Sequence, residues 1–303
     1  MPPEPFARIN AAITTPFFGE ELAVDHRRLA AHATWLLGAG CDGLVLFGTT
    51  GEAASLALSE RKQTLERLIA DGVEPRRVLV GAGCCSVAET AELMIHAAGL
   101  GCAGALVVPP YFYKGVSRSG VSTWFSEVIE ACGAGAPRIW LYHIPQASGV
   151  PIGPDLVGDL LAAHGELIAG YKDSAGDFAN TAEILRRFPR LEVFVGSESQ
   201  LLEAWRAGGA GCISATTNVQ PGPARRLFEA WKCGDGAAEQ AKVAAARAAI
   251  ERAGPMIAAT KAMVGVIHRD GAWRAPRPPL EPLADAARRD LRSKLAEIGV
   301  ERL

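Results

Sequence analysis

The sequence predicts an α/β fold: a closed (β/α)8 TIM barrel with a C-terminal helical appendix. Short apolar, β-branched runs alternate with longer helix-patterned stretches, at a period of about 30 residues. The first run leads into Pro16-Phe17-Phe18-Gly19, not the G-x-G-x-x-G turn that opens a doubly wound sheet. Beyond about residue 220 the strand pattern stops and Ala- and Arg-rich helical pattern takes over.

Eight strands are predicted: Ile9–Thr15, Gly43–Gly48, Arg77–Ala82, Ala105–Pro109, Arg138–Ile144, Leu167–Lys172, Glu192–Gly196 and Gly211–Ala215. Helices are predicted near 25–38, 59–70, 86–99, 119–131, 154–163, 178–188 and 199–207. Ser59 with Lys62-Gln63, Ser86 with Glu89, and Pro154 with Asp155 read as helix starts. Gly38, Gly72, Gly99 and Gly208-Gly209 read as stops. The tail is predicted helical over 222–232, 237–252, 255–268 and 284–297, with a Pro-rich connection at Ala272–Pro279. This divides the chain into a barrel with the active site (1–220) and a helical region packed on it (221–303).

The chain has 303 residues, 31 Lys+Arg against 33 Asp+Glu, and a net charge of −2, which offers no basic surplus to a nucleic acid. No apolar run is long enough to span a bilayer, and MPPEPFARIN lacks the pattern of a signal peptide. The reading is therefore a cytoplasmic enzyme with no nucleic-acid or membrane partner. Seven cysteines without a C-x-x-C read as reduced, mostly buried thiols, and no His/Cys/Asp/Glu group has metal spacing.

Barrel chemistry is built where strands end. Of seven lysines, Lys62, Lys232, Lys242 and Lys294 fall on helical stretches, where solvated heads are expected. Lys261 also sits in a helical stretch, and Lys114 in a loop. Lys172 alone closes an apolar strand, Leu-Ile-Ala-Gly-Tyr-Lys. Desolvation disfavours an ammonium there, and a neutral amine can attack a carbonyl to form a Schiff base. The plain alternative is a rim lysine pairing with Asp173. All four tyrosines (111, 113, 142 and 171) lie at the ends of strands four to six. Tyr171 should face outward, next to Lys172, which leaves Tyr142 as the candidate acid and base. Gly48-Thr49-Thr50-Gly51 offers hydroxyls and N–H groups to an oxyanion. His143 reads as a core or loop hydrogen-bonding residue, and Glu52 as a cap for the helix that follows.

With Gly48-Thr49-Thr50-Gly51-Glu52, Tyr142-His143-Ile144-Pro145 and Gly170-Tyr171-Lys172-Asp173 in this order, the sequence resembles the dihydrodipicolinate synthase/N-acetylneuraminate lyase family. The resemblance runs from Ile13-Thr14-Thr15-Pro16-Phe17 through Gly211-Cys212-Ile213-Ser214 into the tail. It implies a class I aldolase or lyase on a (β/α)8 barrel, acting on pyruvate or another 2-oxo acid without metal or organic cofactor. Lys172 would form the Schiff base, Tyr142 would move the proton, and Thr49 and Thr50 would hold the carboxylate. Ile213 would approach the bound pyruvate through its backbone, with Gly196 and Ser174 as further substrate contacts. A homotetramer built as a dimer of dimers is implied, one aromatic reaching a neighbour's site. Phe112 or Tyr113 takes that place, and Tyr113 would carry the hydroxyl.

Departures from the family pattern concern the second substrate. The synthases grip a second carboxylate with an arginine where this chain has Ala147, and a methyl group cannot replace that clamp. Arg118 is the nearby substitute. The sialate lyases have an acidic pair where this chain has Glu198-Ser199, and a serine where it has Ala215. The leading expectation is cleavage, condensation or dehydration of a deoxy sugar acid or hydroxy-oxo acid. The alternative is 4-hydroxy-tetrahydrodipicolinate synthase, and a remoter one is a non-catalytic oxo-acid-binding barrel.

Overall fold

The structure, a computed structural model, describes residues 6–300. Residues 1–5, part of the stretch read above for a signal, and 301–303 lie outside the described residues. Eight parallel strands close into a barrel: β1 (Ile9–Ala12), β2 (Gly43–Leu46), β3 (Val78–Gly81), β4 (Gly104–Val107), β5 (Ile139–His143), β6 (Ile168–Asp173), β7 (Glu192–Val195) and β8 (Gly211–Ser214). Each pairs with its sequence neighbours, and β1 joins β8 to complete the ring.

The outer ring comprises α1 (His26–Gly38), α2 (Leu58–Ala70), α3 (Val87–Gly99), α4 (Arg118–Cys132), α5 (Pro154–His164), α6 (Phe178–Arg187), α7 (Leu201–Arg206) and α8 (Pro221–Lys232). The appendix adds α9 (Ala237–Ala253), α10 (Met256–Ile267) and α11 (Asp285–Ile298), which share one apolar cluster including Ala246, Ile250, Met263 and Leu291.

Side chains, not solvent, fill the barrel. Val45, Leu79, Leu106, Trp140, Phe194 and Ile213 meet inside it, and Phe6 closes the bottom edge-on to Trp140 and Phe194. The indole fits because two neighbours are glycine. A Cβ at Gly104 would stand 2.5 Å from the Trp140 ring and one at Gly170 only 2.2 Å. A second layer of apolar contacts joins the strands to the helices.

The predicted strands and helices appear in order, with differences at their ends. β1 stops at Ala12 because the chain turns away: the Thr14 N–H donates to the Asn218 side chain at 3.2 Å, outside the sheet ladder. A short antiparallel pair, Phe17–Phe18 with Ala23–Val24, follows, and the two-residue period there is too brief to read from sequence. Ser59 does not start α2. Ala57 is its cap, and the Glu60 carboxylate accepts the Ala57 N–H at 2.9 Å. Ser86 and Pro154 start α3 and α5 as expected.

Candidate active site

Lys172 and Tyr142 are direct register partners on β6 and β5, near the C-terminal ends of both strands. Both are buried, and the Lys172 Nζ stands 4.1 Å from the centroid of the Tyr142 ring. The phenol also shares a hydrogen bond of 3.2 Å with the Thr49 hydroxyl, and Ser174 lines the same cavity. Burial raises the phenol's pKa. The Lys172 charge, the Thr49 hydrogen bond and the polar neighbour Ser174 together outweigh burial and leave it below its ordinary 10.

One cavity of about 430 Å³ collects Lys172, Tyr142, Thr49, Thr50, Ser174, Gly196 and Ile213. Gly196 is required by closeness: its N–H donates to the Asp173 carbonyl at 2.6 Å, and a Cβ there would meet Ser174 Oγ at 2.2 Å. Tyr113 is not brought to this cavity within the chain. It is 71% exposed, edge-on to Phe112, which is 74% exposed. The tyrosine of that loop that turns inward is Tyr111, in a second, more apolar cavity of about 350 Å³. The two cavities meet at Thr49, Tyr142 and Ile144, and Ala147 lines the second.

Tyr171 faces outward: its hydroxyl donates to the Ile152 carbonyl at 2.6 Å and accepts from Asn180. His143 Nδ1 accepts the Ile152 N–H at 3.0 Å and the ring stacks on Tyr171, a structural role. Asp173 does not pair with Lys172. Its carboxylate is taken by Asn180, Thr181 and the Ala175 N–H, on the helix side of the sheet.

Four other sequence readings are corrected or extended. Arg118 is no carboxylate clamp; it lies on the surface, ion-paired with Asp155 and Asp159. Glu198 does not face the cavity as a sugar ligand. It is fully buried, its carboxylate accepting from Ser214, Thr216 and Thr217 and pairing with Arg247. Glu52 caps nothing. It makes a buried ion pair with Lys261, whose amine burial pulls down to about 8 against the opposing pull of Glu52. Lys261 is thus not the solvated head that a helical lysine suggests; α10 is buried almost all round, and its Ala-Thr-Lys-Ala-Met-Val run carries that signal.

Sequence reasoning missed Arg247 and Glu251 altogether. They lie one turn apart on α9, ion-paired at 2.9 Å, and reach into the Lys172 cavity beside Ser197, Ser199 and Gln200. A cation and an anion at i, i+4 in an alanine-rich helix are the one trace they leave in the sequence. Among the described residues, no group of three or more His, Cys, Asp or Glu could hold a metal, and no helix is long and apolar enough to cross a membrane. All seven cysteines are free thiols.

The pattern of the Dihydrodipicolinate synthetase family matches residues 5–298. An uncharacterized DapA-like lyase of Chloroflexus aurantiacus is 37% identical over 240 residues, covering 79% of this chain and 80% of that protein. A 4-hydroxy-tetrahydrodipicolinate synthase of Synechococcus is 33% identical, covering 98% of this chain and 97% of that one. Among solved structures, dihydrodipicolinate synthase from Agrobacterium tumefaciens superposes with a TM-score of 0.90 at 31% identity, over 96% of this chain and 99% of that one. A prophage protein of the same family from E. coli K12, solved with pyruvate, gives 0.88 at 27% identity, over 97% and 99%. With a closed barrel, a lysine–tyrosine pair at its strand ends and a match over nearly its whole length, the chain belongs to the dihydrodipicolinate synthetase family.

Proposed function

We propose that this chain, an aldolase-type lyase of its family, forms a Schiff base between Lys172 and pyruvate or a related 2-oxo acid. The observation that carries the reading is the buried Lys172 amine 4.1 Å from the Tyr142 ring, in a cavity edged by Thr49 and Thr50. The barrel supplies these groups; the division at residue 220 falls just before its eighth helix, α8 (Pro221–Lys232), and α9–α11 form the helical appendix. The substrate carboxylate sits on Thr49 and Thr50; Ser174, Gly196 and Ile213 surround the rest.

In the cleavage direction, the amine adds to the C2 ketone and water leaves, giving the imine. The Tyr142 phenolate takes the C4 hydroxyl proton and the C3–C4 bond breaks. Its electron pair enters the enamine and an aldehyde departs. A proton returns to C3, and hydrolysis of the imine releases pyruvate and the free amine. Condensation runs the same steps backward, and loss of a hydroxyl from the same imine would make the reaction a dehydration.

The substrate is a deoxy sugar acid or small hydroxy-oxo acid. Arg247, Glu251, Ser197, Ser199 and Gln200 offer donors and acceptors suited to hydroxyls. The Arg247 guanidinium already faces two carboxylates, Glu198 and Glu251, so a third is poorly received. The second reading is 4-hydroxy-tetrahydrodipicolinate synthase, the name of many relatives including that of Synechococcus. Ala147 in place of the clamp and Arg118 on the surface weigh against it. We place the enzyme in the cytoplasm as a homotetramer; the exposed Phe112 and Tyr113 are apt to reach a neighbouring subunit, Tyr113 with its hydroxyl.

Intact-protein mass spectrometry after mixing with pyruvate and sodium borohydride tests the reading. A reduced adduct on the parent and none on Lys172→Ala supports it. No adduct with pyruvate or longer 2-oxo acids sinks it.

A further inference from the structure

We infer that Lys261 and Glu52 are positioning residues for the substrate carboxylate: through their buried ion pair, the C-terminal region holds the Gly48–Gly51 turn in its receiving shape. This rests on the reading above that Thr49 and Thr50 take the carboxylate.

The turn's own hydrogen bonds use the N–H groups of Gly51, Glu52 and Ala53, not those of Thr49 and Thr50. Consecutive N–H groups left over in this way form a concave site for an oxyanion. Such a site works only while its shape is held, and two anchors hold it. The Thr15 hydroxyl donates to the Gly51 carbonyl at 2.7 Å, tying the turn to the barrel. On the other side, Glu52 follows directly with φ of 57°, a left-handed conformation that a glutamate does not adopt without support.

That support comes from residues more than two hundred positions away. Glu52 Oε1 accepts from Lys261 Nζ at 2.5 Å, and Oε2 accepts the Arg277 N–H at 2.8 Å. Neither the Lys261 nor the Glu52 side chain is exposed at all. Lys261 Nζ also donates to the Thr15 carbonyl at 2.8 Å and stands 4.2 Å over the Phe17 ring, so the amine joins both anchors at one point. The Arg277 guanidinium continues to the Leu22 and Ser55 carbonyls and to Glu60. At the far end of the turn, the Thr49 hydroxyl meets the Tyr142 phenol. A continuous set of contacts thus runs from α10 to the proton-moving group. Packing alone would be met more simply by an apolar pair; a buried ion pair that fixes a strained residue beside the turn points to geometry.

The test compares pyruvate with methyl pyruvate, which keeps the ketone and has no carboxylate. Half-saturating concentrations for borohydride-trapped adduct are measured in the full-length parent, Lys261→Met and Glu52→Gln. The parent should favour pyruvate. Each variant should need at least tenfold more pyruvate while its value for methyl pyruvate stays within about threefold, and Lys261→Arg should recover part of the loss. A general loss of fold moves both ketones together, so the ratio remains readable in whichever variant folds. Unchanged ratios in the variants, beside a parent that discriminates, overturn the positioning role. A parent that traps both ketones equally overturns the carboxylate role of Thr49 and Thr50, and no adduct at all overturns the Schiff-base reading; either takes this inference with it.

Discussion

Tyr142 and Lys172 face each other from adjacent strands at one register position, with the amine 4.1 Å from the centroid of the phenol ring. The pairing fixes the distance between the group proposed to bind carbon and the group proposed to move its proton, without help from any loop. It also sets the phenol's acidity. Burial opposes ionisation, and the Lys172 charge with the Thr49 hydrogen bond and the polar Ser174 more than compensates.

Tyr142→Phe should therefore lower kcat for retro-aldol cleavage by about 10²- to 10⁴-fold, the usual weight of a positioned acid–base group. A lowered phenol pKa means more phenolate at a given pH. In the parent, kcat should rise with pH and level off below pH 10; in the variant this limb should be absent. Steady-state kinetics between pH 6 and pH 10 check it.

Gly196→Ala places a methyl group 2.2 Å from Ser174 Oγ and 3.0 Å from the Asp173 carbonyl. The backbone there is held by the Gly196–Asp173 hydrogen bond, so the serine must move. Stability should fall by about 1–3 kcal/mol, as for other overpacked sites. Because Ser174 lines the cavity beside the Tyr142 phenol, kcat should fall as well. Denaturant unfolding and kinetics on the same preparation separate the two effects.

Arg247 touches the cavity with a guanidinium held by Glu198, Ser214, the Gly196 carbonyl and Glu251, its side chain 15% exposed. Losing one charged hydrogen bond to substrate costs about 1.5–3 kcal/mol. Arg247→Met should raise KM for a hydroxylated deoxy sugar acid that the parent cleaves by roughly 10- to 100-fold, on the same principle. The pyruvate adduct should still form on Lys172. An unchanged KM would remove Arg247 from the substrate's path.

His32 should make the fold sensitive to acid, with His26 and His143, also lowered by burial, adding to the effect. It is fully buried between Trp35 and Trp273, with Nε2 3.0 Å from Asn218 Oδ1 and Nδ1 2.9 Å from His268. Burial first, and the nearby His268 second, hold its pKa at about 3 against the Asn218 hydrogen bond. Between pH 6.5 and 3 the unfolded chain binds a proton there that the folded chain refuses, so stability falls as pH falls. From pH 7 to pH 5 the loss should be about 2 kcal/mol. Chemical denaturation should show this slope in the parent and a flatter one in His32→Gln.

Much of the barrel was legible because its signals are local. β5 and β6 are continuous apolar runs, as strands buried on both faces must be, and Ser86 and Pro154 mark helix starts through their own backbone chemistry. Lys172 stood out as the lysine that closes such a run. What misled was likewise local: Ser59 has the chemistry of a cap, yet Glu60 reaching back to Ala57 puts the cap two residues earlier.

The sequence by itself determined the order of strands and helices, the barrel and the place of Lys172 and Tyr142 at its strand ends, since periodicity and register act over a few residues. Tertiary structure alone decided which other charged groups matter. It set Lys261 against Glu52 across 209 positions and turned Arg247 of α9 into the cavity. It also kept Arg118 at the surface and left Tyr113 exposed. These outcomes depend on which distant partner a charge meets when it leaves water, and no local pattern encodes that.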